Sequence, residues 1–162
     1  MARDMEFPEY DAISDLLSML LGKKVVCKKG RELSAMGRDI GAQGVYVFDD
    51  GEIAALALTD MSFSGSTGAA LSMLNASVAE QAARSGELNE MLQENIQEVL
   101  NIAASWFNAP YRPHVKFREQ SVAPAPLPDD AEGVLFDYDR RLDIKVEIAG
   151  YPAGSISLLE AA

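Results

Sequence analysis

The sequence predicts an α/β protein of the α+β type, in which two long helices pack on an antiparallel β-sheet. Apolar residues recur at helical spacing near the N-terminus and again in the middle of the chain. Segments of alternating apolar residues follow each of these helices. The chain has 162 residues, of which 48% are hydrophobic, so it can form a single domain spanning residues 1–162 with a proper core.

Helical spacing predicts the first helix over residues 9–21, with Gly22 at the position of a C-cap glycine. Its apolar face consists of Ile13, Leu16, Leu17, Leu20 and Leu21. A further helix is predicted over residues 69–84, with a break near Asn75, and a long one over residues 87–107. The apolar stripe of the long helix consists of Leu88, Leu92, Ile96, Val99, Ala103 and Trp106.

Alternating or continuous apolar runs predict the strands of the sheet. They fall at residues 23–29, 44–48, 53–58, 114–121, 134–138, 142–148 and 154–159. Residues 44–48 and 53–58 read as a hairpin, and 134–138 with 142–148 as a second one. The polar, glycine-bearing residues 62–68 predict a loop, and the proline- and acid-rich residues 123–132 predict a solvated loop.

The two halves of the chain resemble each other weakly. Residues 44–49 match residues 133–137, and the polar positions of the first helix match those of the long helix. The match suggests a duplicated unit of a helix followed by strands, although two amphipathic helices always look somewhat alike.

The chain is strongly acidic, with 25 Asp and Glu residues against 14 Lys and Arg and a net charge of −11. This charge repels phosphate backbones and anionic lipids, so we expect neither nucleic acid nor membrane as a partner. No segment reaches the ~18 apolar residues of a membrane span, so we expect a soluble, cytoplasmic protein. The single Cys27 and single His114 make neither an intrachain disulfide nor a Cys/His zinc site, and we expect His114 to be structural.

One face of the long helix carries an unbroken polar stripe. It consists of Glu90, Glu94, Glu98, Asn101 and Ser105, at spacings of four, four, three and four residues. No Lys or Arg lies between Glu87 and Phe107 to relieve the repulsion of the glutamates. A solvated helix face is the ordinary explanation of such a stripe, and a docking face for a basic partner is the other.

The segment Gln97–Ala104 resembles the signature helix of the CheC/CheX chemotaxis phosphatases, which are related to the flagellar-switch phosphatase FliY. Their pattern is Asp or Ser, three residues, Glu, two residues, Asn, then 22 residues and Pro. Glu98 and Asn101 fit this pattern, and Pro124 stands at the expected spacing. Glu94 replaces the Asp or Ser, and Ser105 replaces a glycine that often follows the motif.

The first helix carries Asp15 and Ser18 where a second active helix would have Glu and Asn. This one-site arrangement looks like CheX more than two-site CheC. We therefore expect the first helix to be structural.

The resemblance implies a phosphatase for the aspartyl phosphate of a CheY-like response regulator. Asn101 would orient the attacking water through its carboxamide, and Glu98 would pair with a lysine of the receiver. Glu90, Glu94 and Ser105 would line the partner-binding face. The resemblance implies no cofactor of the chain's own, because the receiver supplies Mg²⁺. Phosphoryl transfer depends mainly on positioning and charge stabilisation, so a neutral amide suits the chemistry.

Two other functions stay open from the sequence. A CheX-like domain that binds a receiver or flagellar-switch protein without hydrolysis would fit the departures at Glu94 and Ser105. A phosphate or nucleotide site on residues 65–68 before a helix is the other, although no Gly-Lys-Ser/Thr follows and the segment holds no basic residue. The cognate receiver, the pathway and a homodimer are also left open.

Overall fold

A six-stranded antiparallel sheet forms the centre of this computed structural model, which describes residues 3–162. Its strands are β1 (Val25–Lys29), β2 (Ile40–Phe48), β3 (Ile53–Asp60), β4 (Val115–Val122), β5 (Tyr138–Ile148) and β6 (Gly154–Ala161). They lie in the order β1-β5-β6-β3-β2-β4, and every neighbouring pair is antiparallel. The predicted α+β class with an antiparallel sheet is confirmed.

The main core lies between one face of the sheet and the longer helices. The helices are α1 (Tyr10–Leu21), α2 (Met61–Leu71), α3 (Ala76–Ser85), α4 (Glu90–Ile102) and the short α5 (Asp129–Glu132). A 3-10 turn, Ala103–Phe107, continues α4, and another, Gly133–Leu135, follows α5. Leu17 of α1 and Ile96 of α4 belong to the same buried cluster. A smaller cluster around Leu33 and Leu127 covers the other face. None of the helices within residues 3–162 combines the length and apolar composition needed to cross a bilayer.

The sheet repeats itself about its centre. If β1 is exchanged with β4, β2 with β5 and β3 with β6, the same strand order is obtained, counted from the opposite edge of the sheet. The two halves of the chain therefore occupy equivalent positions in the sheet. Each half contains a helix, an edge strand and a hairpin in this order, which agrees with the duplicated unit predicted from the sequence. The predicted equivalence of residues 44–49 and 133–137 in the two repeats is wrong, because Gly133–Leu135 is a 3-10 turn and β2 corresponds to β5.

Several local predictions are confirmed. Gly22 ends α1 in the left-handed region, with a φ of 63°. The β2–β3 hairpin forms, and β3 is an inner strand between β2 and β6 in which every residue after Ile53 is buried. The break near Asn75 is the turn between α2 and α3. The long helix is shorter than predicted, because the Asn89 side chain accepts the Leu92 N–H at 2.8 Å and starts α4 at Glu90.

The predicted loop over residues 62–68 is wrong, because these residues form the middle of α2 and are almost entirely buried. The Asp60 carboxylate caps this helix by accepting the Phe63 N–H at 2.7 Å. Its small residues allow close packing: Gly65 lies against Ala79 and Ala82 of α3, and Gly68 against Leu92 of α4.

The second predicted hairpin is also wrong, and the solvated loop predicted over residues 123–132 is confirmed only as far as residue 128. β5 is one continuous strand from Tyr138 that pairs with β1 and β6, so residues 134–138 do not form a partner strand. Leu127, Ala131 and Val134 are buried in the smaller core. Residues 129–135 therefore fold as α5 and a 3-10 turn that cover the outer face of the sheet.

His114 lies at the surface just before β4, with 60% of its side chain exposed. Its Nδ1 is 2.7 Å from Asp49 Oδ1 in the β2–β3 turn. This contact ties the turn to the start of β4, which agrees with the structural role expected for His114.

We expect the thiol of Cys27 to react slowly in the folded protein. Burial raises its pKa to about 12, so the nucleophilic thiolate is scarce near neutral pH. Alkylation by iodoacetamide at pH 8 should be more than about 100-fold slower than in urea, where the thiol returns to its ordinary pKa. The rate in the folded state should rise with pH up to about 12. A plateau reached near pH 9 would contradict this prediction.

Candidate functional site on α4

Four residues of the polar stripe predicted from the sequence lie on the solvent side of α4, and the fifth, Ser105, lies in the 3-10 turn that follows. Glu90, Glu94, Glu98, Asn101 and Ser105 are all exposed. The opposite stripe is buried: Leu88, Leu92, Ile96, Val99, Ala103 and Trp106 lie in the core. The i to i+3 spacing puts Glu98 and Asn101 one turn apart on the same side of the helix. The carboxylate and the carboxamide are thus presented together to an approaching molecule.

The stripe is electrostatically uncompensated. Within residues 3–162, no Lys, Arg or His forms an ion pair with Glu90, Glu94 or Glu98. Other surface carboxylates do find cations, as Asp130 does with Arg118. Like charges at i and i+4 destabilise a helix slightly, so the stripe costs stability in the free protein. A cation brought by a partner would remove that cost.

A buried tyrosine supports the helix at Leu100, the residue before Asn101. The Tyr46 hydroxyl, on β2, donates a hydrogen bond of 2.6 Å to the carbonyl of Leu100. The centroid of the Tyr46 ring lies 5.0 Å from the centroid of the Phe107 ring and 5.7 Å from that of the Phe117 ring. Burial raises the pKa of Tyr46 well above its usual range, so the hydroxyl stays a donor. Tyr46 belongs to no sequence motif; its only signal in the sequence is a tyrosine inside an otherwise apolar strand.

The chain beyond Asn101 is also held in place. The Ala103 N–H bonds the Val99 carbonyl, which closes the last α-helical turn. The Asn108 carboxamide donates to the carbonyls of Ala104 and Val115, at 2.9 and 2.7 Å, and accepts the Val115 N–H at 2.8 Å. These bonds fix the conformation of the segment that connects the 3-10 turn to β4. The segment bearing Asn101 is therefore supported on both sides, as a positioned functional group requires.

Ser105 stands apart from the rest of the stripe. It lies in the 3-10 turn, where each residue advances about 120° instead of 100°, so it rotates away from the glutamates. There it lines a groove of about 600 Å³ together with Asp15 and Met19 of α1 and Trp106. Ser105 thus belongs to the boundary between α4 and α1.

The first helix offers no equivalent of the Glu98–Asn101 pair. The Ser18 hydroxyl accepts the Val25 N–H at 3.2 Å and so ties α1 to the start of β1. Asp15 is exposed beside the groove. The structural role expected for Ser18 agrees with this contact.

Pro124 lies away from Asn101 despite its matching sequence spacing. Gln120, near the end of β4, donates to the carbonyl of Gln93 in the first half of α4 at 3.1 Å. Asn101 is eight residues further along the helix than Gln93, or about 12 Å. Pro124 follows β4 and is therefore placed towards the opposite end of α4.

The structure argues against the phosphate or nucleotide site that the sequence left open on residues 65–68. Residues 65–68 are buried inside α2, between its neighbours α3 and α4, so they form neither a loop nor a helix N-terminus. Their backbone N–H groups belong to the helix and are not free to cradle an anion. In the described part of the chain, no three His, Cys, Asp or Glu side chains cluster as metal ligands would.

No protein-family model and no curated protein matches the sequence. Solved structures do match it. FliY from Thermotoga maritima aligns with a TM-score of 0.54 at 12% identity, over 94% of this chain and 89% of that chain. The FliM middle domain from Vibrio alginolyticus aligns with a TM-score of 0.59 at 9% identity, over 93% and 86%.

A third match is the CheX–CheY–BeF₃–Mg²⁺ complex from Borrelia burgdorferi, with a TM-score of 0.49 and 7% identity, over 95% of this chain and 99% of that chain. The fold assignment rests on the FliY and FliM structures, which match nearly the whole of this chain. Together with the strand order and the two core helices, these likenesses show that the chain has the CheC/CheX-like fold of FliY and of the FliM middle domain.

Proposed function

We propose that this protein binds the phosphorylated receiver domain of a CheY-like response regulator and hydrolyses its aspartyl phosphate. The observation that carries the proposal is the Glu98–Asn101 pair, exposed one turn apart on α4, with no internal partner for either side chain within residues 3–162. The match of this pair to the CheC/CheX signature and the CheC/CheX-like fold support it.

The proposed reaction transfers the phosphoryl group from a receiver carboxylate to water. The water oxygen forms a bond to phosphorus, the bond to the receiver's aspartate oxygen breaks, and phosphate and the free carboxylate are released. The receiver's Mg²⁺ would stabilise the charge on the phosphoryl oxygens. Asn101 would hold the water in line through its carboxamide, which can both accept and donate hydrogen bonds. Because the amide is neutral, it adds no anion beside the phosphoryl group.

Glu98 would fix the register of docking. A carboxylate one turn from Asn101 can pair with a receiver lysine while Asn101 reaches the phosphate. The unpaired glutamates Glu90 and Glu94 extend the negative charge along α4, and they would speed the encounter with a basic surface. Charge steering of this kind weakens as salt rises, so the association rate should fall with ionic strength.

The direct experiment is to add this protein to a phosphorylated, Mg²⁺-bound CheY-like receiver and to follow phosphate release. The expected result is release well above the receiver's own rate, in proportion to the amount of protein added. Binding of the receiver without faster release would contradict the phosphatase and support the second candidate, a non-hydrolysing receiver-binding domain. Glu94 and Ser105, which depart from the signature, are the observations that favour this second candidate.

Glu98→Gln should weaken docking more than the chemical step. The substitution keeps the size of the side chain and removes the charge that would pair with the receiver lysine. We expect the Michaelis constant for the phosphorylated receiver to rise about tenfold, with kcat within about twofold. Glu80→Gln is the matched control, because Glu80 is an exposed glutamate of α3 outside the stripe. An equal effect of both substitutions would argue against a specific role for Glu98.

A further inference from the structure

We propose that Tyr46 is a positioning residue that holds Asn101 in its working orientation through the carbonyl of Leu100. This inference rests on the proposed function, because it assigns a role to Tyr46 in the same reaction. Tyr46 touches neither the stripe nor any surface that a receiver reaches, since it is fully buried on β2. Its effect would be transmitted through the main chain.

Only one hydrogen bond and one peptide unit separate the Tyr46 hydroxyl from Asn101. The carbonyl of Leu100 and the Cα of Asn101 belong to the same planar peptide unit. A hydrogen bond that fixes this carbonyl therefore fixes the plane from which the Asn101 side chain projects. The Tyr46 hydroxyl makes such a bond at 2.6 Å.

The bond lies where the helix is least able to fix itself. Leu100 is among the last four residues of α4, whose carbonyls lie at the end of the α-helical hydrogen-bond pattern. From Ala103 onward the chain follows 3-10 geometry. The α-helical pattern therefore ends within two residues of Asn101, where a donor from outside the helix can add to the helix's own hydrogen bonds. Tyr46 supplies the donor from the rigid sheet.

The surroundings of Tyr46 leave its hydroxyl little freedom. Its ring is enclosed by Phe107 and Phe117. Gly44, two residues earlier on the same face of β2, gives room for this packing, because a Cβ there would stand 3.3 Å from the Tyr46 ring and 3.5 Å from the Leu100 side chain. The sheet, the aromatic cluster and the end of α4 are thus fitted together around one hydrogen bond.

Tyr46→Phe tests the inference, because it keeps the ring and removes only the hydroxyl. We expect kcat for phosphate release to fall about 10- to 100-fold, as for a misplaced catalytic group, with the Michaelis constant for the receiver changed less than about twofold. Docking through Glu98 should survive because the helix itself remains. Amide hydrogen exchange at residues 103–107 should be faster than in the unaltered protein.

Tyr151→Phe is the matched control. The Tyr151 hydroxyl also donates to a main-chain carbonyl, that of Leu74, which lies in the turn between α2 and α3 and not on α4. It should leave kcat unchanged. If it lowers kcat as much as Tyr46→Phe does, general loosening explains the loss and the inference is overturned.

The two proposals fail in different ways. Unchanged kcat in Tyr46→Phe, with Asn101→Ala inactive, overturns the positioning role and leaves the phosphatase standing. A raised Michaelis constant with unchanged kcat also overturns it, because that is the mark of a docking residue. Unchanged release by Asn101→Ala overturns the catalytic role of Asn101, and the role of Tyr46 with it. No release above the receiver's own rate by the unaltered protein overturns the proposed function itself.

Discussion

Replacing Asn101 by alanine should abolish most of the stimulated phosphate release and leave the fold intact. The side chain is exposed and forms no hydrogen bond with the rest of residues 3–162, so its removal takes nothing from the core. Alanine is also the better helix former at this position. The loss should fall on kcat by about 100-fold or more, because the attacking water would lose its positioning group. Release is followed with a phosphorylated receiver, and folding by circular dichroism and thermal unfolding.

Two further variants sharpen this test. Asn101→Asp keeps the shape of the side chain but places an anion beside the phosphoryl oxygens, so it should also be strongly impaired. Asn75→Ala is the matched control, since Asn75 is an exposed asparagine before α3 whose side chain makes no capping bond. Full activity in Asn101→Ala would assign the stripe to binding alone.

Sequence periodicity predicts correctly those helices and strands whose pattern of apolar residues matches their pattern of burial in the structure. α1 ends at Gly22 as predicted, and the β2–β3 hairpin has the predicted turn, because amphipathic spacing and glycine punctuation are local signals. The buried and exposed faces of α4 also follow from spacing alone. Asn101 can be proposed from the sequence because its motif is short and lies on one helix. The motif predicts that Glu98 and Asn101 act together, and the structure shows that both are exposed on the same helix.

The elements that sequence analysis missed owe their structure to distant contacts. The Ser and Gly residues of α2 have the composition of a loop, yet here they serve close packing between α3, α4 and the sheet. Val134 resembles a strand residue, but it is buried under the sheet in a 3-10 turn. Tyr46 acquires its role only when β2 brings it beneath Leu100, 54 residues away. No local sequence pattern predicts a contact between residues so far apart in the chain.

Gly154→Ala should destabilise the fold strongly. A Cβ at Gly154, the first residue of β6, would lie 2.4 Å from the N and Cα atoms of Phe63, in the first turn of α2. Those atoms are main chain, so no side-chain rotation can relieve the overlap. α2 would have to move away from the sheet, and with it the packing of α3 and α4. The free energy of unfolding should fall by about 3 kcal/mol or more.

Urea denaturation followed by tryptophan fluorescence measures this loss, because Trp106 is buried in the main core beside the end of α4. Gly133→Ala is the matched control: a Cβ there meets nothing within 4 Å, and its φ of −58° suits alanine. This control should be neutral or slightly stabilising, since alanine lowers the entropy of the unfolded chain. Comparable stability of the two variants would mean that α2 can shift on the sheet at little cost. The Asn101 face, which α2 helps to hold through its contacts with α4, would then be less rigid than the proposed chemistry requires.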